Sequence, residues 1–295
     1  MRRVLLVAAL AALLAAGCGG SSHPKGPSAL VFVSTKDGDY ALFGANADGS
    51  DSYRLSKEKG DPSTARGLFF QTQPAWSPDG NELAFSSART GMPHIFVMNP
   101  DGTGTRQVTD AAKGDEQPTW SPDGKRLVFN REGAIFEAPA TGGAGHRIGK
   151  GPGNAGDPAY SADGKLIAYD YRRPGYANRE LYVMRPDGTA IRQLTHLGYV
   201  SALPAWSPDG KTIAFISNVN GGTYQVYTIR RDGTHVQQVT FSKTDVIQPS
   251  WTPDGKSIGY VRDGAIWTNT GGEKTQLTSG KNNDSDPEWR PVGPQ

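Results

Sequence analysis

The chain has a single cysteine, Cys18, among its 295 residues. A lone thiol excludes an intramolecular disulfide, a CxxC redox pair and a cysteine-based zinc site. Charge of one sign is also missing, since Lys and Arg number 31 against 29 Asp and Glu. That balance argues against nucleic-acid binding, which calls for a basic excess or stripe. Long apolar runs are represented only by Val4 to Ala16, 13 residues that follow the basic start Met1-Arg2-Arg3. In a helix such a run rises about 20 Å, short of the roughly 30 Å hydrocarbon core of a bilayer. Residues 1–17 therefore read as a signal peptide and not as a membrane span. Its removal takes away Arg2 and Arg3 and leaves 29 basic and 29 acidic side chains, a formally neutral protein.

Signatures of catalysis are missing as well. The chain contains no Gly-x-Ser-x-Gly and no His-Glu-x-x-His, and no Gly-Lys pair has the upstream Gly of a phosphate-binding loop. The five histidines, His23, His94, His146, His196 and His235, lack metal-ligand spacing. No catalytic residue, metal ligand or cofactor is assigned, and the expectation is a protein that is not an enzyme.

What is present begins with Leu14-Ala15-Ala16-Gly17-Cys18, which resembles a bacterial lipobox with Ala15 in the place most often taken by Leu. The resemblance implies lipidation of Cys18 and anchoring to a membrane. Residues 18–27 then read as a lipidated, flexible tether without apolar periodicity.

Gly and Pro are abundant, 38 and 21 residues, and much of this turn-forming content recurs at a fixed interval. Pro-x-aromatic-Ser-Pro-Asp-Gly begins at Pro74, Pro118, Pro158, Pro204 and Pro249, with variations, and a shortened copy begins at Pro287. Successive prolines stand 44, 40, 46, 45 and 38 residues apart. A period near 44 matches one four-stranded propeller blade. Within each repeat Pro-x-Trp is a first strand, and Pro-Asp-Gly is a tight turn in which Pro presets φ and Gly takes the left-handed corner. An apolar second strand follows, such as Leu83-Ala84-Phe85, then a third such as His94 to Met98. A further Asp-Gly turn leads to a polar outer strand ending in Gln-x-Thr. Consecutive apolar residues predict strands covered on both faces.

The ends complete the ring. Leu30 to Ser56 supplies second, third and fourth strands without a first, and Pro287-Glu288-Trp289 supplies a first strand with nothing after it. The expectation is an all-β, six-bladed β-propeller over residues 28–291, closed by a blade built from both termini, with 292–295 as a tail.

These motifs resemble the TolB-like propeller repeats, a family whose namesake belongs to the Tol-Pal system of the bacterial envelope. The resemblance covers residues 28–291. It implies an extracytoplasmic envelope protein, here without the N-terminal α/β domain of the namesake. The same repeats also occur as non-catalytic lids of peptidases and in lipoproteins, so the motif specifies the fold more sharply than the function.

Two groups of loop residues are candidate sites. Leu68-Phe69-Phe70, in the longest blade-to-blade connection, is an apolar triplet that either packs over the channel or meets a partner. With it goes the Tyr171 to Arg179 loop, where Tyr171, Arg172, Arg173 and Arg179 combine the residue types enriched at binding hot spots. The second group, Asp115, Asp157, His196, Asp245, Asp284 and Asp286, is expected near the channel mouth. Its carboxylates either cap turns or converge to bind a cation or a basic segment, and Arg89, Arg131 and Arg262 on neighbouring loops are available to pair with them. The leading reading is a membrane-anchored, monomeric binding or scaffold module that engages an envelope protein or peptide, with no nucleic acid. The alternative is an enzyme or a receptor for a glycan or peptide that uses a metal at the channel mouth.

Overall fold

The computed structural model describes residues 28–56, 71–149 and 154–291. Its strands are β1 (Leu30–Ser34), β2 (Ala41–Ala45), β3 (Tyr53–Arg54), β4 (Gln71–Trp76), β5 (Leu83–Ser87), β6 (His94–Met98), β7 (Arg106–Gln107), β8 (Asp115–Trp120), β9 (Arg126–Arg131), β10 (Ala134–Pro139), β11 (His146–Arg147) and β12 (Ala155–Tyr160). They continue with β13 (Ile167–Tyr171), β14 (Glu180–Met184), β15 (Arg192–Gln193), β16 (Ser201–Trp206), β17 (Thr212–Ser217), β18 (Gln225–Arg230), β19 (Gln237–Gln238), β20 (Val246–Trp251), β21 (Ile258–Arg262), β22 (Ala265–Thr270), β23 (Glu273–Gln276) and β24 (Ser285–Trp289). They form six four-stranded antiparallel sheets, the blades of a six-bladed propeller. Blades one to five are β4–β7, β8–β11, β12–β15, β16–β19 and β20–β23. The sixth has the order β24-β1-β2-β3, so the two ends of the chain share it, as the repeat pattern predicts.

Each recurring motif has a local physical role. Ser77 Oγ donates to Asp79 Oδ1 at 2.6 Å, accepts from the Glu82 amide at 2.9 Å, and so closes the Ser-Pro-Asp-Gly turn. Ser121, Ser161, Ser207 and Thr252 do the same in the next four blades. On the outer strand Thr109 Oγ1 accepts from the Ile95 amide, and Gln107 Nε2 donates to the Thr109 carbonyl. The pair recurs at Gln193 and Thr195 and at Gln238 and Thr240, and it fastens a two-residue strand that has little burial to hold it.

The core is divided among the blade interfaces. Each of six apolar clusters draws on two neighbouring blades: Val31, Val33 and Leu42 of the sixth blade pack with Leu83, Phe85 and Phe96 of the first, and Ile266 of the fifth with Leu30 and Phe32 of the sixth. Each fully buried Leu or Phe contributes about 1.5–3 kcal/mol, so no blade is stable without its neighbours and ring closure is cooperative. Cross-strand aromatic pairs, among them Phe85–Phe96 and Phe129–Phe136, run through the blades with centroids 6.0 and 6.2 Å apart. Arg89, Arg131 and Arg262 lie over the outer rings of such ladders, at 4.6 Å from Phe96, 4.5 Å from Phe136 and 4.1 Å from Trp267. These arginines therefore extend the packing of their blades as cations on aromatic faces.

The first strand of each blade is longer than Pro-x-Trp and begins upstream of the proline. It passes through a residue with positive φ: Gln73, Gln117, Asp157, Leu203, Gln248 and Asp286, at 48° to 60°. At each of these points the pairing with the second strand shifts register. The residue before a proline ordinarily takes extended backbone. Here a β-bulge imposes the left-handed region instead and turns the side chain out of the sheet. Asp115, Asp157 and Asp286 consequently lie within strands and not in the connecting loops.

Candidate functional site

The inner strands β4, β8, β12, β16, β20 and β24 surround a central cavity of about 580 Å³. Three levels of side chain line it. At the end where the inner strands begin stands the bulge ring of Gln73, Gln117, Asp157, Leu203, Gln248 and Asp286. Below it are the small residues Ala75, Thr119, Ala159, Ala205 and Ser250, with Glu288 completing the level in the sixth blade. The aromatic level holds Trp76, Trp120, Tyr160, Trp206, Trp251 and Trp289, and the prolines of the turns border the far end.

Hydrogen bonds run from blade to blade around this wall. Gln73 Oε1 accepts from the Gln117 amide at 3.0 Å, and Gln117 Oε1 from the Asp157 amide at 3.1 Å. Gln117 Nε2 also donates to Asp157 Oδ1. On the other side Gln248 Nε2 donates to Asp286 Oδ1 at 2.5 Å, its Oε1 accepts from the Asp286 amide at 3.2 Å, and the Gln73 amide donates to the Asp286 carboxylate. Leu203 has no polar side-chain atom, so the chain of bonds is interrupted there. Each left-handed residue costs on the order of 1–3 kcal/mol, and the cross-blade bonds help to hold this conformation. The aromatic level is tied in the same sense: Trp120, Trp206 and Trp251 donate from Nε1 to the Ala75, Ala159 and Ala205 carbonyls at 3.0, 3.1 and 3.1 Å.

Three carboxylates share this wall. Burial pushes Asp286 up to about 6 and Glu288 up to about 7, the latter accepting one bond from Ser250 Oγ at 2.9 Å. Asp157 is raised well above the ordinary carboxylate range, first by burial and then by the neighbouring Asp170 charge and a hydrogen bond to that group. Asp170 is 1% exposed and pairs through Oδ1 with Arg179, while its Oδ2 has no hydrogen-bond partner among the protein groups.

The sequence-predicted residues divide sharply. Asp157 and Asp286 reach the channel, on the third and sixth blades. Asp115 is fully buried at the start of β8 in a two-pronged pair with Arg131, 2.6 and 2.9 Å. Asp245 is exposed and accepts from the Tyr224 amide, His196 is exposed, and Asp284 is buried at 3% exposure; none of the four lines the cavity. Gln73, Gln117 and Gln248 were missed, although the residue before each blade proline was readable by aligning the six copies; Glu288, which directly follows Pro287, was missed as well. Of the second group, Arg179 is committed to Asp170 and Asn154, and Tyr171 lies edge-on to Tyr182 at 5.5 Å. Arg173 lies over Tyr176 at 4.7 Å and donates to Gln193, while Arg172 is exposed. Leu68, Phe69 and Phe70 lie outside the described residues.

The loops at the bulge end carry exposed aromatics that the sequence reading did not single out. Tyr176 is 61% exposed, Tyr199 43% and Phe241 70%, and the first two loops are linked by Asn178 donating to the Gly198 carbonyl. Chemically the site offers hydrogen bonding, negative charge and aromatic surface. No group of three or more His, Cys, Asp or Glu among the described residues is placed to hold a metal ion.

An all-β ring of six blades with a polar central channel defines a propeller of the repeat class. The chain belongs to the TolB beta propeller domain family, whose description matches residues 63–150 and 134–295. It is 26% identical over 190 residues to the protein TolB homolog of Chlorobium luteolum, covering 64% of this chain and 31% of that one. It is 44% identical over 66 residues to the Tol-Pal system protein TolB of Syntrophus aciditrophicus, 22% of this chain and 13% of the relative. The chain thus spans about a third or less of the length of these curated relatives. The crystal structure of TolB from Acinetobacter baumannii superposes with a TM-score of 0.74 at 23% identity, covering 89% of this chain and 66% of that one, a likeness of fold.

Proposed function

We propose that this protein is a non-catalytic binding module of the bacterial cell envelope that engages a protein or peptide segment at the channel mouth. The observation that carries the reading is the exposure of Tyr176, Tyr199 and Phe241 on loops at the bulge end of the ring, where the channel opens. Solvent-exposed aromatics grouped around a concave site are typical of protein interfaces. Relatives named for the Tol-Pal system support the envelope setting. In this reading Arg172 and Arg173 extend the same face, and the protein acts as a monomer.

The anchor belongs to the proposal too. Residues 1–17 act as a signal peptide and Cys18 carries the lipid, on the extracytoplasmic side of a bacterial membrane. The described chain starts at Ser28 beside β1, at the end of the ring opposite the bulges, so a tether attached there holds the propeller by its base. Capture of partners from envelope extract tests the reading, with wild type compared against Tyr176→Ser, Tyr199→Ser and Phe241→Ser combined. A protein retained by wild type and lost by the triple variant is expected; equal retention, or no retained protein, overturns the reading. Cys18→Ser is expected to move the protein from the membrane to the soluble fraction, and unchanged fractionation refutes the anchor.

A further inference from the structure

The bulge ring has a charge pattern that hydrogen bonding around the wall does not use up. The third and sixth of six blades face each other, so Asp157 and Asp286 stand on opposite walls at one level, with three Gln and one Leu between them. Glu288 lies below Asp286 on the same strand. Among the described residues lining the cavity there is no Lys, Arg or His. A second, separate observation concerns Asp170, which neighbours Asp157 behind the wall: its side chain is 99% removed from solvent, Oδ1 pairs with Arg179 and Oδ2 has no hydrogen-bond partner. Arg179 therefore balances one of those two carboxylates and nothing from the protein balances the other.

We propose that the channel accepts a cationic side chain, an alkylammonium or guanidinium, presented by the segment bound at its mouth, with Asp157 and Asp286 as counter-charges on opposite walls and Glu288 as a third one level deeper. The inference rests on the binding-module reading and specifies its chemistry. The wall suits such a group beyond its charge. Ala75, Ala159 and Ala205 leave room for an apolar stem, and Trp251 offers ring surface to a planar guanidinium, whereas Trp76 and Trp206 already carry Arg290 and Arg231 over their rings. Opposite charges in a confined site attract several times more strongly than in bulk water. A divalent ion suits the wall less well, because the carboxylates are spread around the ring and no group of three or more metal-binding side chains among the described residues comes together. Burial disfavours the charged forms of Asp286 and Glu288, and a cation bound beside them would offset that penalty.

The test uses the full-length protein and two probes, acetyl-Gly-Arg-Gly-amide and the same peptide with citrulline, which keeps the shape of arginine and removes its charge. Calorimetric titration near pH 7.5 is expected to show millimolar or tighter binding of the arginine peptide and at least tenfold weaker binding of the citrulline peptide. Asp286→Asn and Glu288→Gln, each checked for a cooperative thermal transition no lower than that of wild type, are expected to weaken the arginine peptide at least threefold. Equal affinity for the two peptides overturns the inference, and so does no binding of the arginine peptide at millimolar concentration. Partner capture separates the two levels of the argument. If the aromatic triple variant loses the partner while Asp286→Asn and Glu288→Gln retain it fully, the cation inference fails and the binding-module reading stands.

Discussion

Glu288→Gln is expected to stabilise the protein in alkaline solution and to leave it unchanged in acid. The carboxyl of Glu288 sits in the channel wall with a hydrogen bond from Ser250, and burial raises it from 4.5 to about 7. Between those values the folded chain holds a proton that the unfolded chain has released, so stability falls as pH rises. Below about pH 4 both states are protonated and the penalty is zero; above about pH 7 it is complete. A displacement from 4.5 to about 7 corresponds to about 3 kcal/mol at roughly 1.36 kcal/mol per unit, an upper value because water enters the channel. Glutamine keeps the shape and the acceptor for Ser250 without a charge to bury. Urea denaturation of wild type and variant from pH 4 to pH 8.5 reads the difference, which should grow from near zero to between about 1 and 3 kcal/mol in favour of the variant. A difference that is flat across this range refutes the argument, because a change in packing or hydrogen bonding alone carries no pH dependence.

Three further outcomes follow from the packing. Trp120→Phe leaves the Ala75 carbonyl without its 3.0 Å donor, whereas Trp76 Nε1 has no partner to lose; the first substitution should cost about 1–3 kcal/mol more than Trp76→Phe in urea denaturation. Asp115→Asn strands the guanidinium of Arg131 in a buried site and should cost about 3–5 kcal/mol by the same assay. Gly259→Ala would place a Cβ 2.0 Å from Trp289 Cη2, and should lower stability by at least about 1–3 kcal/mol, seen as a lower thermal midpoint, because Trp289 belongs to the strand that closes the ring.

The fold was legible because its turns are. Pro-Asp-Gly and Asp-Gly need specific dihedral angles that few residues supply, so they recur visibly at each blade, and the unmatched strands at the two ends imply a shared sixth blade. The channel wall was only half legible. Asp157 and Asp286 stand out by charge, but Gln73, Gln117 and Gln248 occupy the equivalent position, and a glutamine before a proline carries no obvious signal. Asp115 and Asp284, three residues before their prolines, resemble channel residues in one dimension. The bulge turns out the residue directly before the proline, while Asp115 points into the blade toward Arg131. A local backbone irregularity of this kind depends on pairing with the second strand, which periodicity does not encode. Arg131 and Arg262 were read as loop charges, yet both lie over aromatic rings of their own blades, contacts that require the cross-strand register to be known.

The central claim is that the bulge end of the ring is the binding face. Site-specific photo-crosslinking in cells tests it most directly, with the reactive side chain placed at Tyr199 beside the channel mouth or at Lys211 in a turn at the opposite end. The account predicts a discrete adduct with another envelope protein from position 199 and none from position 211. An adduct from position 211 alone, or none from either position, would contradict it.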